Sequence, residues 1–177
     1  MDRRSFSIGM LTAGCLTALM PGLGHAQDAR VQKSMASLKA MAAQLGVPKI
    51  EGRQAIGGEQ AIGGKDAPGL YFGSTLVNND FEIVDAIGKE DGSGMTATLF
   101  VKDGDEYIRV STSVPKPDGG GRAVGTVLAG PALASIEAGQ PHYGEVPILG
   151  TPYVTGYEPI KDASGTILGV YYVGYQK

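Results

Sequence analysis

Beyond residue 26 the chain contains no cysteine, because Cys15 is its only one. With Cys15 inside an N-terminal segment that reads as an export signal, a disulfide framework and a cysteine metal site are both excluded, and stability has to come from packing. Long apolar runs are missing as well. Nothing after that segment approaches the about 18 apolar residues that a membrane span requires. Histidine is reduced to His142 in the same region, a lone imidazole beside Tyr143 without a second ligand in sequence, so no metal site is expected. There is also no Gly-x-Ser-x-Gly elbow, no His-Glu-x-x-His helix, no haem-attachment motif and no cysteine nucleophile. No catalytic residue, metal or cofactor is therefore assigned, and the expectation is a protein that is not an enzyme.

The N-terminal segment is read from its charges and its small residues. Arg3-Arg4-Ser5-Phe6 precedes a mildly apolar stretch from Ile8 to Leu23, and Gly24-His25-Ala26 places small residues where a signal peptidase reads them. Residues 1–26 are expected to be a signal peptide cleaved after Ala26, which places the product in the periplasm or outside the cell. The paired arginines and the weak hydrophobicity resemble a twin-arginine signal. Two other readings stay open: an ordinary secretory signal, and lipid attachment at Cys15, against which Thr12 stands where that motif takes leucine. Residues 27–177 remain, 151 residues or one domain's worth of chain, with 13 basic against 17 acidic side chains and a net charge of −4. So mildly acidic a surface gives no steering toward nucleic acid or anionic lipid.

Along the remaining chain, Val31, Met35, Leu38, Met41, Ala42 and Leu45 recur at spacings of three and four, which predicts an amphipathic helix over 28–45 that Gly46 and Pro48 end. Its methionines are expected to pack on a sheet. The run Gln54-Ala55-Ile56-Gly57-Gly58 recurs as Gln60-Ala61-Ile62-Gly63-Gly64, without Walker spacing, and reads as a flexible insertion or a small duplicated turn. Leu70–Phe72 suits a short strand. A helix capped by Asn79 or Asp80 follows through Ile87. Strands over 95–102 and 106–114 are joined by Asp103-Gly104-Asp105. The second of them places Tyr107, Arg109, Ser111 and Ser113 on one face and Ile108, Val110 and Val114 on the other. A short helix over 131–138 and a strand over 143–148 lead to Thr151–Tyr175. There, two β-branched and aromatic runs flank Lys161-Asp162-Ala163-Ser164-Gly165, a β-hairpin with Tyr153, Thr155 and Tyr157 sharing one face and Val154 and Ile160 the other. Asp162 is expected to hydrogen-bond its own turn backbone.

The hairpin run from Gly156 to Gly174, together with Pro68–Gly73, Ala97–Val101, Tyr107–Val114 and Arg122–Thr126 in that order, resembles a single Cache sensor domain of the Cache 3 and Cache 2 fusion type. Such domains form the extracellular part of chemotaxis receptors. The resemblance runs from about residue 30 to the C-terminus. It implies an α+β, PAS-like Cache fold over 27–177, with a long N-terminal helix packed on a five- to six-stranded antiparallel sheet and a ligand pocket on the sheet's other face. It implies recognition of small metabolites without catalysis. Receptors of this family carry a second membrane helix after the sheet, whereas this sequence stops at Gln176-Lys177. Any signal is therefore expected to pass to a separate membrane receptor or histidine kinase.

Arg109 is the side chain singled out for a ligand, since its guanidinium holds a carboxylate with two parallel hydrogen bonds. Pairing with Asp105 or Glu158, or projection into solvent, stays open for it. Tyr107, Ser111, Arg122, Tyr153, Thr155 and Tyr157 complete the expected ligand-binding set. The leading reading is a periplasmic protein that binds a carboxylate-bearing metabolite. The alternative is a ligand-free module that docks on a membrane-bound receptor or kinase.

Overall fold

The computed structural model describes residues 23–57, 65–91 and 94–177. The expected signal peptide, with its paired arginines and Cys15, lies outside them up to residue 22, and so does the second copy of the Gly-rich repeat. Helix α1 (Leu23–Leu45) is followed by β1 (Pro48–Ala55), β2 (Asp66–Phe72), β3 (Thr75–Leu76), α2 (Glu82–Asp91), β4 (Met95–Asp103) and β5 (Glu106–Thr112). Then come α3 (Pro131–Glu137), β6 (His142–Ile148), β7 (Thr151–Lys161) and β8 (Ile167–Gln176). None of these helices is long and apolar enough to cross a membrane.

Five strands form one antiparallel sheet in the order β5-β4-β8-β7-β6, and β1-β2-β3 form a smaller one. The α+β expectation, with a long helix on an antiparallel sheet, is met. The smaller sheet was not anticipated. Pro48–Ala55 carries three charged residues and a glycine and has Ile50 as its one β-branched residue and no aromatic, so propensity hides a strand that tertiary pairing with β2 creates. The first repeat copy is accordingly no insertion: Gln54 and Ala55 pair with β2, and Ile56 is buried.

Period and burial agree along α1. Val31, Met35, Leu38 and Ala42 are fully buried against the sheet, in one cluster with Leu99, Val101, Val110, Val154, Ile160 and Val173, and Met41 and Leu45 pack beside it. The methionines are core, as expected. A second cluster occupies the opposite face of the larger sheet: Phe100, Tyr107, Val114, Tyr153, Tyr157, Val170 and Tyr172, roofed by Ala123, Leu128, Ala132 and Ile136. The segment between β5 and α3 and α3 itself supply that roof.

The turn chemistry of the terminal hairpin is as expected. Gly165 takes φ +88°, and Asp162 Oδ1 accepts from the backbone N–H groups of Ser164 and Thr166 at 2.8 and 3.0 Å. Asp80 caps α2 by accepting from Glu82 N at 2.9 Å. Asn79 bridges to the end of β1 instead, accepting from Gly57 N at 2.7 Å and donating to Ala55 O at 2.8 Å.

A polar contact at Glu158 ties α1 to the sheet. Glu158 accepts from Lys39 Nζ and from the Tyr143 hydroxyl, each at 2.5 Å. Burial pushes its carboxyl up, but these two hydrogen bonds outweigh that and hold it below the ordinary value. A carboxyl depressed in the folded state adds stability above its unfolded pKa and loses it as pH falls through the folded value. Acid denaturation of Glu158→Gln should therefore show a smaller loss of stability on the acid side than wild type, with a lower starting stability at pH 7. Gly169 provides a steric test. A Cβ there would sit 2.0 Å from the Phe100 carbonyl oxygen, so Gly169→Ala has to open the β4–β8 ladder and should cost about 1–3 kcal/mol or more, read as a lower urea midpoint.

Candidate functional site

A β-bulge decides which side chains of β5 look into the roofed face. Phe100 pairs with Arg109 and Leu99 with Ser111, so Val110 is the extra residue between two facing pairs. Cross-strand partners point to the same side. Arg109 thus shares the face of Phe100, in the tyrosine cluster, while Ser111 shares that of Leu99, in the helix-side core. This corrects the sequence expectation, which ran strict alternation through the strand. The Ser111 hydroxyl donates to the Asp80 carbonyl on the helix side, and Val114 lies in the tyrosine cluster instead of with Val110. Thr112 takes the place expected of Ser111, sharing a short hydroxyl contact with Thr98 at 2.6 Å.

Arg109 is 5 % exposed. Its backbone is paired on both sides with the roof segment, donating to Thr126 O and accepting from Gly125 N at 2.9 Å each. From the side chain, Nη1 donates to Thr126 Oγ1 at 2.9 Å, and the guanidinium carbon lies 5.0 Å from the centre of the Phe100 ring. Its Nε is buried without a hydrogen-bond partner. No carboxylate among the described residues forms an ion pair with it, and Glu158 is engaged by Lys39 on the helix side. Burial pulls the guanidinium below its usual value, against a smaller opposing influence of Tyr172, Tyr157 and Tyr153. An arginine nonetheless stays cationic at neutral pH.

This guanidinium lines a cavity of about 130 Å³ together with Tyr157, Thr126, Leu128, Val146 and Ile148, and with Val127 and Leu149 toward solvent. Tyr157 leans on Tyr172, ring centres 4.9 Å apart. Burial pushes both phenols well above their ordinary value, so they remain protonated and add no charge. Tyr157 alone of the two lines the cavity; the Tyr172 hydroxyl lies 3.4 Å from Thr96 Oγ1. The cavity therefore combines one fixed positive charge, a neutral phenol and an aliphatic wall.

The other expected ligand residues are distributed as follows. Tyr107 and Tyr153 are buried in the same cluster as Tyr157. Thr155 lies on the shared face but donates to Gly144 O at 2.8 Å, across to β6. Arg122 stands elsewhere, forking onto Asp85 Oδ1 and Oδ2 at 2.6 and 2.9 Å and donating to Thr112 O at 2.9 Å, with Phe81 beneath it. Arg122 thus makes the kind of carboxylate pair considered for Arg109, but with Asp85, not with Asp105 or Glu158. Sequence reasoning missed Tyr172, Thr126, Leu128, Val146 and Ile148. Tyr172 was reachable by alternation once the register with Tyr157 was known; the roof residues carry no periodic signal.

The family model of the Cache 3/Cache 2 fusion domain matches residues 18–177. The chain belongs to the Cache 3/Cache 2 fusion domain family. Cache domains are sensory, small-molecule-binding modules without catalytic chemistry, and in this Cache domain the cavity beside Arg109 and Tyr157 lies on the sheet face opposite α1, while larger hollows of about 520 Å³ border α1 at Lys39. No curated protein matches the chain.

A buried cation without a counter-charge is costly to the empty protein. Arg109→Met, which keeps the length and removes the charge, should raise the stability of the ligand-free Cache domain by about 1–3 kcal/mol, measured by urea unfolding with an unchanged m value.

Proposed function

We propose that this Cache domain is an exported sensory protein whose ligand is a small aliphatic monocarboxylate held beside Arg109. The observation that carries the reading is the Arg109 guanidinium, buried without a carboxylate partner among the described residues, its Nε unsatisfied, in the lining of a cavity of about 130 Å³. Buried charges are normally paired. A carboxylate in the cavity would supply the missing counter-charge.

Size and lining narrow the ligand. A dry cavity of about 150 Å³ accommodates benzene, so this one takes about six non-hydrogen atoms, as in an acid of two to four carbons. Leu128, Val146 and Ile148 suit an alkyl tail. A second carboxylate would be buried against them without a cation, and inorganic oxyanions would meet a single guanidinium where they need several donors. The ligand-free docking module requires a pocket filled by its own side chains, and an open cavity beside an unpaired guanidinium speaks for the binding reading. The reading extends to residues 1–26 as a cleaved signal peptide, a periplasmic location, and a membrane-bound receptor or histidine kinase as the listener.

Purified protein should carry such an acid by native mass spectrometry or gain thermal stability from a panel of short acids. At a hundred times its dissociation constant a ligand adds about 2.7 kcal/mol, a rise of about 5–10 °C for a chain of this size. Arg109→Met should weaken binding by about tenfold or more, the value of a charge-assisted pair. A panel without any shift, with nothing co-purifying, would remove the proposal.

A further inference from the structure

We infer that Leu149 sets the chain length of the acid this pocket accepts, an inference that rests on the carboxylate reading above. The β6–β7 hairpin closes with Ile148 facing Thr151 and only Leu149 and Gly150 between them. Both turn residues are left-handed, at φ +49° and +88°, the mirror-image turn that matches the twist of a hairpin and favours Asn-Gly or Gly-Gly. A branched, bulky leucine is a poor occupant of that position. Among the described residues one other non-glycine residue has positive φ, Asn79. It is held there by its own side-chain hydrogen bonds to Gly57 and Ala55. Leucine has no such local compensation, so its retention calls for a reason outside the turn.

The cavity supplies one. Leu149 is 41 % exposed yet lines the cavity, and Val127, 37 % exposed, lines it from the roof segment. With Ala129 and Pro147 they form the exposed rim of the lining, whereas Arg109, Leu128, Val146 and Ile148 are buried. An acid anchored on the buried guanidinium meets that rim only as its tail lengthens. An apolar turn residue there shields the end of a longer tail from water, and a polar one would expose it. Strain at a turn that borders a ligand cavity is the pattern in which a locally unfavourable residue is kept for function.

Calorimetric titration of acetate, propionate, butyrate and pentanoate into wild type, Leu149→Asn and Leu149→Met separates the possibilities. Asparagine fits the left-handed turn but not the apolar wall. It should weaken butyrate by roughly tenfold, the scale of methylene discrimination in an apolar pocket, and leave acetate within about twofold, while the unliganded melting temperature rises by about 2–4 °C. Methionine keeps the apolar bulk and should preserve the wild-type order. If wild type binds these acids and Leu149→Asn binds them in the same order and strength, Leu149 has no role in selection and the carboxylate reading stands. If wild type binds none of the four, both fail together.

Discussion

A guanidinium held almost wholly out of water, with one hydroxyl and an aromatic ring for company, is the constraint on which this sheet face is organised. Folding Arg109 into that position forfeits hydration that Thr126 and Phe100 replace only in part. The rest of the surroundings make sense as accommodation. The phenols of Tyr153, Tyr157 and Tyr172 are the neighbours that bear electrostatically on it, apolar enough to fill the face and polar enough to tolerate a charge. The roof is stitched to the same residue through its backbone, so the strand that presents the cation also fixes the segment that covers it.

The Val110 bulge is what makes this possible. Without the extra residue, alternation would carry Ser111 into the tyrosine cluster and Thr112 into the helix-side core. With it, the Ser111 hydroxyl reaches the Asp80 carbonyl at the start of α2, and Thr112 joins Thr98 on the roofed side. One inserted residue thus satisfies polar groups on two faces. Bulges concentrate where a sheet must re-aim a side chain, and this one falls directly after the cation.

How much of this was legible in the sequence follows from which signals are local. The period of α1, the Asp103–Asp105 and Lys161–Gly165 turns, and the inward alternation of Tyr153 and Tyr157 are written within a few residues, and each is found as expected. β1 was hidden because Pro48–Ala55 owes its extended form to β2. The bulge was hidden because nothing in Arg109-Val110-Ser111 marks an extra residue; it exists only relative to Phe100 and Leu99 across the ladder. Arg109 and Arg122 look alike in sequence. The difference between them is whether a carboxylate arrives from elsewhere in the chain, and Asp85 arrives at Arg122 alone of the two.

The same long-range logic bears on what a sensory domain must do. Tyr157 faces the cavity, and the next residue, Glu158, faces α1 through Lys39 and Tyr143. Successive residues of a strand point to opposite faces, so β7 carries a cavity-lining side chain and a helix-gripping one a single peptide unit apart. The grip on the helix side is polar, the carboxylate held ionised by two donors, whereas Tyr157 packs ring against ring on Tyr172. The helix-side contacts are sensitive to displacement in a way that the surrounding aliphatic packing is not, because a hydrogen bond weakens steeply with angle whereas dispersion is spread over many atoms. The tyrosine face and the helix face are therefore joined across one peptide unit of β7, with the geometry-dependent contact on the helix side.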